Sequence, residues 1–150
     1  MKEDLMYFLP CLWAFFACLG FGVVYNIQGR GNLICGFGAA LGWFVYLLAQ
    51  KMGAGDIFAA FLAAMVIAGY SEWMARIRRC PVTGYLQVAL LPLVPGSGIY
   101  HSMQCAINGD TQLFLDTLMH TFGFAAALSM GAMLTSSTLR ALLFRPRIKR

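Results

Sequence analysis

The chain has 150 residues, 60% of them hydrophobic and only 11% charged, with a mean hydropathy of +0.70. A soluble domain carries about 25% charge, so this composition excludes a soluble enzyme and points to one integral membrane unit over residues 1–150. The net charge of +5 is no nucleic-acid footprint, because the cations cluster at the ends of apolar runs, and no nucleic-acid partner is expected.

Residues 5–25 form the first apolar span, and its head MKED has one cation against two carboxylates and so no net positive side-chain charge, which suits a retained anchor better than a secretory signal. A short turn through Gly29, Arg30 and Gly31 leads to the second span, 32–49. Gly31, Cys35, Gly38 and Gly42 share one of its faces, a small-residue seam that lets helices approach closely. Residues 50–56 read as a glycine-containing loop, and the third span runs over 54–75. Glu72 there has Arg76 as an (i, i+4) partner. Arg76, Arg78 and Arg79 precede Pro81, the fourth span covers 84–108, the fifth 113–135, and a basic tail occupies 140–150. Trp13, Trp43 and Trp73 read as packing groups and interfacial anchors. The five cysteines (Cys11, Cys18, Cys35, Cys80, Cys105) show no CxxC pair and suit buried packing rather than disulfides or metal.

Five spans put the termini on opposite sides. One side then receives Lys2 and Lys51; the other receives Arg30, Arg76, Arg78, Arg79, Arg140, Arg145, Arg147, Lys149 and Arg150. Basic loops stay cytoplasmic, so the amino terminus faces out and the carboxyl terminus in. A four-span reading scatters the arginines over both sides.

The fourth span carries the strongest signal. Pro92 and Pro95 lack an amide donor and clash with the preceding turn, so no regular helix runs through both. Gly96 and Gly98 widen the backbone choices. A helix restarting near Ser97 places free amides and a positive dipole end inside the apolar span, where backbone is tolerated only against protein or a wet cavity. Residues 95–97 fall near the middle of 84–108, where a transport site can open to either side. Ser97, His101, Gln104 and Asn108 follow at helical spacing, on one face. These residues are the candidate substrate site, with the amides of Gly96, Ser97 and Gly98 suited to a small carboxylate. A ligand-free proline kink is the competing reading.

In the fifth span, Asp116 and His120 lie four apart on one face. Ionisable groups in a membrane often mark proton relays, so both are relay candidates, with His101 as a possible partner. That face continues through Gly123, Ala127 and Gly131 and is expected to pack against protein. No phosphate loop, metal-ligand cluster or nucleophile elbow is present, so no cofactor, metal or catalytic residue is expected and the chain does not read as an enzyme.

Three runs carry a family resemblance: GFGVVYNIQGRGNLICGFGAALGWFVY, FLAAMVIAGYSEWMARIRRCPVTGYL and LLPLVPGSGIYHSM. Over roughly 20–132 the chain resembles the second membrane half of the threonine/serine exporter family, which also occurs as a separate small subunit. Members often carry a Pro-Gly where this chain has Val88-Ala89, so a milder kink is expected there. The resemblance implies a companion subunit carrying the first half, residence in a bacterial cytoplasmic membrane, and amino-acid or succinate export. The expected fold is therefore an all-α membrane protein of five transmembrane helices, the fourth broken at Pro92–Pro95. An odd span count inverts successive halves, so the chain reads as half of an inverted-repeat transporter. The leading function is a secondary-exporter subunit for small carboxylate-bearing metabolites of the threonine/serine type. A dicarboxylate exporter subunit and a non-transporting assembly subunit are the alternatives. The glycine faces are expected to offer packing surfaces for a complex with the companion subunit, in which several copies of each, and so a homo-oligomer, are open.

Overall fold

The computed structural model describes residues 6–27 and 29–143. Lys2, Arg145, Arg147, Lys149 and Arg150, which enter the orientation argument, lie outside the described residues. Helix α1, Leu9–Val24, opens on Pro10, whose missing amide is no loss in a first turn. The chain then reverses through Asn26 and Gly29, both at positive φ, and Gly29 supplies a conformation other residues avoid. Helix α2 is Arg30–Lys51 and α3 is Asp56–Arg78. Arg79 turns left-handed at the end of α3, and the Cys80 amide reaches back to the Ala75 carbonyl. Pro81 then caps α4, Val82–Leu90, which tightens into a 3-10 turn, Leu91–Leu93. After the break come α5, Gly96–Ile107, and α6, Thr111–Leu143.

Small residues decide the packing. Ala59, Ala60, Ala63, Ala64 and Ala68 of α3 are buried, which lets α2 and α6 close on it from either side. The seam of α2 is used up inside the chain: a methyl on Gly42 would collide with Ile67, one on Gly38 would meet Tyr70 and Ala89, and one on Gly31 would meet Tyr85. Ala127 and Gly131 are likewise buried, against α3. Both faces thus pack against protein, as expected, but they are not spare surfaces for another subunit.

Contacts give the helix directions. Gly123 meets Ile57, Gly131 meets Phe61 and Ala64, Thr135 meets Gly69, and Arg140 meets Glu72. Both numbers rise together, so α3 and α6 run parallel. Parallel neighbours need a return crossing between them. A re-entrant loop would deliver α6 antiparallel, so the bent α4–α5 pair travels the length of the bundle.

The helices α2, α3 and α6 are each long and apolar enough to cross a membrane, and the α4–α5 pair, bent by 49°, makes up to four crossings. The chain is a multi-pass membrane protein. Helix α1 has 16 residues, about 24 Å, less than the about 30 Å of hydrocarbon. Among the described residues it alone of the five expected spans falls short, because a turn at Phe8 separates Leu9–Val24 from the helical residues 6–7. The last helix runs beyond the expected 113–135, and Arg140 belongs to it rather than to a tail.

Arg140 has a structural task there. Its Nε donates to Glu72 Oε1 at 3.0 Å, while Arg76 Nη2 stands 4.0 Å from Oε2. The Glu72 side chain is 3% exposed against 55% for Arg140. Arg140→Ala is expected to cost about 2 kcal/mol, less than the about 3–5 kcal/mol of a fully buried broken pair, because solvent and Arg76 soften the loss. Glu72→Gln/Arg140→Gln should recover most of it; thermal unfolding in detergent compares the two variants.

Candidate functional site

The break in the fourth span is built from unmatched carbonyls that find substitutes. Pro92 has no amide for the Val88 carbonyl, and the buried Cys18 thiol donates to it instead, at 3.3 Å. Pro95 has none for Leu91, so the Val94 amide bonds that carbonyl at 3.1 Å. Val94 is extended and Pro95 caps α5 without a side-chain bond. Helix α4 runs unbroken through Val88 and Ala89, consistent with a milder kink at that point. The nine residues of α4 and three of the turn balance the twelve of α5, so the break is central to its own span.

At the start of α5 the Gly96 amide is occupied by the Val94 carbonyl at 2.7 Å. The Ser97 and Gly98 amides have no backbone acceptor among the described residues, so they alone remain of the three expected donors. Ser97 and Gly98 line a cavity of about 280 Å³ together with Pro92, Pro95, Thr121 and His120. Thr121 lies so close to Gly98 that a Cβ there would sit 2.5 Å from its Oγ1. Gly96 faces open space, so the close approach is at Gly98 instead.

The lining also draws on α2 and α3. Trp43 and Tyr46 of α2 make an edge-to-face aromatic row with Phe124 of α6, with ring centroids 5.5 and 6.0 Å apart. The Trp43 indole N–H is buried without a partner. This tryptophan therefore lines the cavity, beyond the packing role expected of it. Gln50 Nε2 donates to Asp56 Oδ1 at 2.6 Å and to the Tyr46 hydroxyl at 3.0 Å. The other carboxylate oxygen, Oδ2, faces His120 Nε2 at 3.9 Å. Asp56 opens α3 and Gln50 nearly ends α2, so the ionisable groups reach the break from one end of the bundle.

Of the expected site residues, the structure joins Pro92, Pro95, Ser97 and Gly98 with His120. His101, Gln104, Asn108 and Asp116 are exposed and outside the cavity lining. The partner of His120 is Asp56, not His101. Sequence reasoning placed Asp56 in a loop, and its only local signal was a carboxylate heading an apolar helix. Among the described residues no group of three or more His, Cys, Asp or Glu assembles that could hold a metal ion. Chemically, the lining combines a helix start with unbonded amides, hydroxyls, a carboxylate and an imidazole.

The profile of a family described as Threonine/Serine exporter, ThrE, matches residues 10–138. An uncharacterized protein of Haemophilus influenzae is 26% identical over 117 residues, 78% of this chain and 36% of that protein. The chain thus spans little more than a third of the length of this relative. No solved structure matches.

Proposed function

Because this chain belongs to the threonine/serine exporter family, we propose that it is one membrane half of a secondary exporter for zwitterionic amino acids of the threonine/serine type. One observation carries the reading: Ser97 and Gly98, at a helix start with two open amides, line the same cavity as Asp56. A substrate carboxylate fits the Ser97 and Gly98 amides, where the helix dipole favours negative charge. The substrate ammonium fits Asp56. A dicarboxylate such as succinate would bring its second charge against Asp56, so the dicarboxylate alternative is disfavoured. An assembly subunit has no use for such a cavity.

His120 supplies the coupling. A proton on its imidazole pairs with Asp56 and competes with the substrate ammonium, so protonation expels substrate. This makes the transport an exchange of amino acid for protons. A companion subunit contributes the other half of the inverted repeat, five spans are completed by α1, the amino terminus faces out, and the complex sits in a bacterial cytoplasmic membrane. The exposed polar face of His101, Gln104 and Asn108 is then the surface toward that companion.

Efflux from proteoliposomes holding this chain and its companion, preloaded with threonine, serine or succinate, tests the reading. Asp56→Asn should slow threonine efflux about tenfold, the loss of one charged contact. His120→Gln should leave efflux measurable but remove its acceleration by acid on the receiving side. Faster wild-type efflux of succinate than of threonine, with no effect of Asp56→Asn, would overturn the substrate assignment. Full transport by this chain alone would overturn the companion.

A further inference from the structure

The other end of the α3–α6 pair carries a differently built concavity. An apolar groove of about 370 Å³ passes Gly69, Trp73, Ile77 and Leu139 and ends on Arg76 and Glu72. A recess of about 340 Å³ shares Glu72 and Arg76 and adds Arg140. The groove exists because residue 69 has no side chain; a Cβ there would meet only the Thr135 methyl, at 3.8 Å. Trp73 is 70% exposed beside it, and exposed tryptophan on a spanning helix marks the headgroup boundary. Arg140 lies in the last turn of α6. Two guanidinium groups thus outnumber one buried carboxylate at the polar end of an apolar channel. Arg140 engages Glu72 through Nε, a bond that does not consume its Nη donors.

We propose that this groove binds an anionic phospholipid. One acyl chain lies along Gly69, Trp73, Ile77 and Leu139, and the phosphate sits between Arg76 and Arg140. A free phosphate gains nothing from the apolar channel, and a lipid without net charge gains little from the excess guanidinium. The planar guanidinium fork matches phosphate oxygens in geometry as well as charge, and basic pockets between membrane helices take such headgroups. The lipid thereby straps α3 to α6 at the end remote from the transport cavity.

Quenching of Trp73 by brominated lipid tests the site in a Trp13→Phe/Trp43→Phe background, with the chain and its companion in phosphatidylcholine nanodiscs. Brominated phosphatidylglycerol should quench at a mole fraction about fivefold lower than brominated phosphatidylcholine, from one net cation at the headgroup. Glu72→Gln/Arg76→Gln/Arg140→Gln removes the buried charge together with its partners and should abolish the preference. Gly69→Leu keeps every charge, fills the groove, and should weaken quenching by the anionic lipid. Equal quenching by both lipids overturns the proposal. So does a preference that survives both variants, which would assign it to other cations, and so does relief of quenching by inorganic phosphate or by threonine.

Discussion

Gly131→Leu separates α3 from α6 and lowers the thermal midpoint of the purified protein by about 10 °C, from an overpacking cost of about 3 kcal/mol. The cause is a backbone contact. A Cβ at residue 131 would sit 2.6 Å from the Phe61 carbonyl oxygen and 3.0 Å from the Ala64 Cβ. A carbonyl fixed in a helix cannot swing aside, so the helices themselves must part. Gly123→Ala is the control on the same face, because its nearest neighbour is the Ile57 Cδ1 at 3.1 Å, a terminal methyl able to rotate away. If Gly131→Leu melted within about 2 °C of the wild type, close packing would not hold this pair.

Gly98→Leu, by contrast, leaves the protein inserted and removes most of its export. The new side chain would grow into Thr121, whose hydroxyl is held by the Thr117 carbonyl at 2.7 Å and so resists rotation. Pushing α5 off α6 displaces the Ser97 and Gly98 amides, and a cost on the order of 1–3 kcal/mol corresponds to a loss of tenfold or more in efflux. Gly96→Ala, two residues earlier, points into open space and should export at nearly the wild-type rate. Equal rates for Gly96→Ala and Gly98→Leu would remove the start of α5 from the transport path.

Local chemistry made much of this fold readable. Proline placement located the break, and the spacing of Gly31, Cys35, Gly38 and Gly42 picked out the buried face of α2. The distant pairings left no periodic trace. Cys18 answers a carbonyl exposed by Pro92 through a bond across 70 positions, yet in sequence it is one small residue among many. Asp56 looked like loop because Gly53 and Gly55 precede it, and only the parallel docking of α6 brings His120 to it. Polar spacing alone grouped Ser97 with His101, Gln104 and Asn108; the structure keeps only Ser97 in the cavity, since α5 turns the other three outward. Helical periodicity reveals a shared face but not what that face meets.

The parallel pairing of α3 and α6 also sets an order of events during synthesis. Glu72 and Arg140 are 68 positions apart, which at about 5–20 residues per second is about 3–14 s of translation. Over that interval Glu72 has emerged while its closest cation has not been made, and Arg76, one helical turn away, is the neighbour already present to offset its charge. The bent pair must also thread across before α6 can arrive alongside α3. The central interface of the bundle is therefore completed last, and a chain paused before residue 140 holds Glu72 with Arg76 beside it and without the nearer of its two cations.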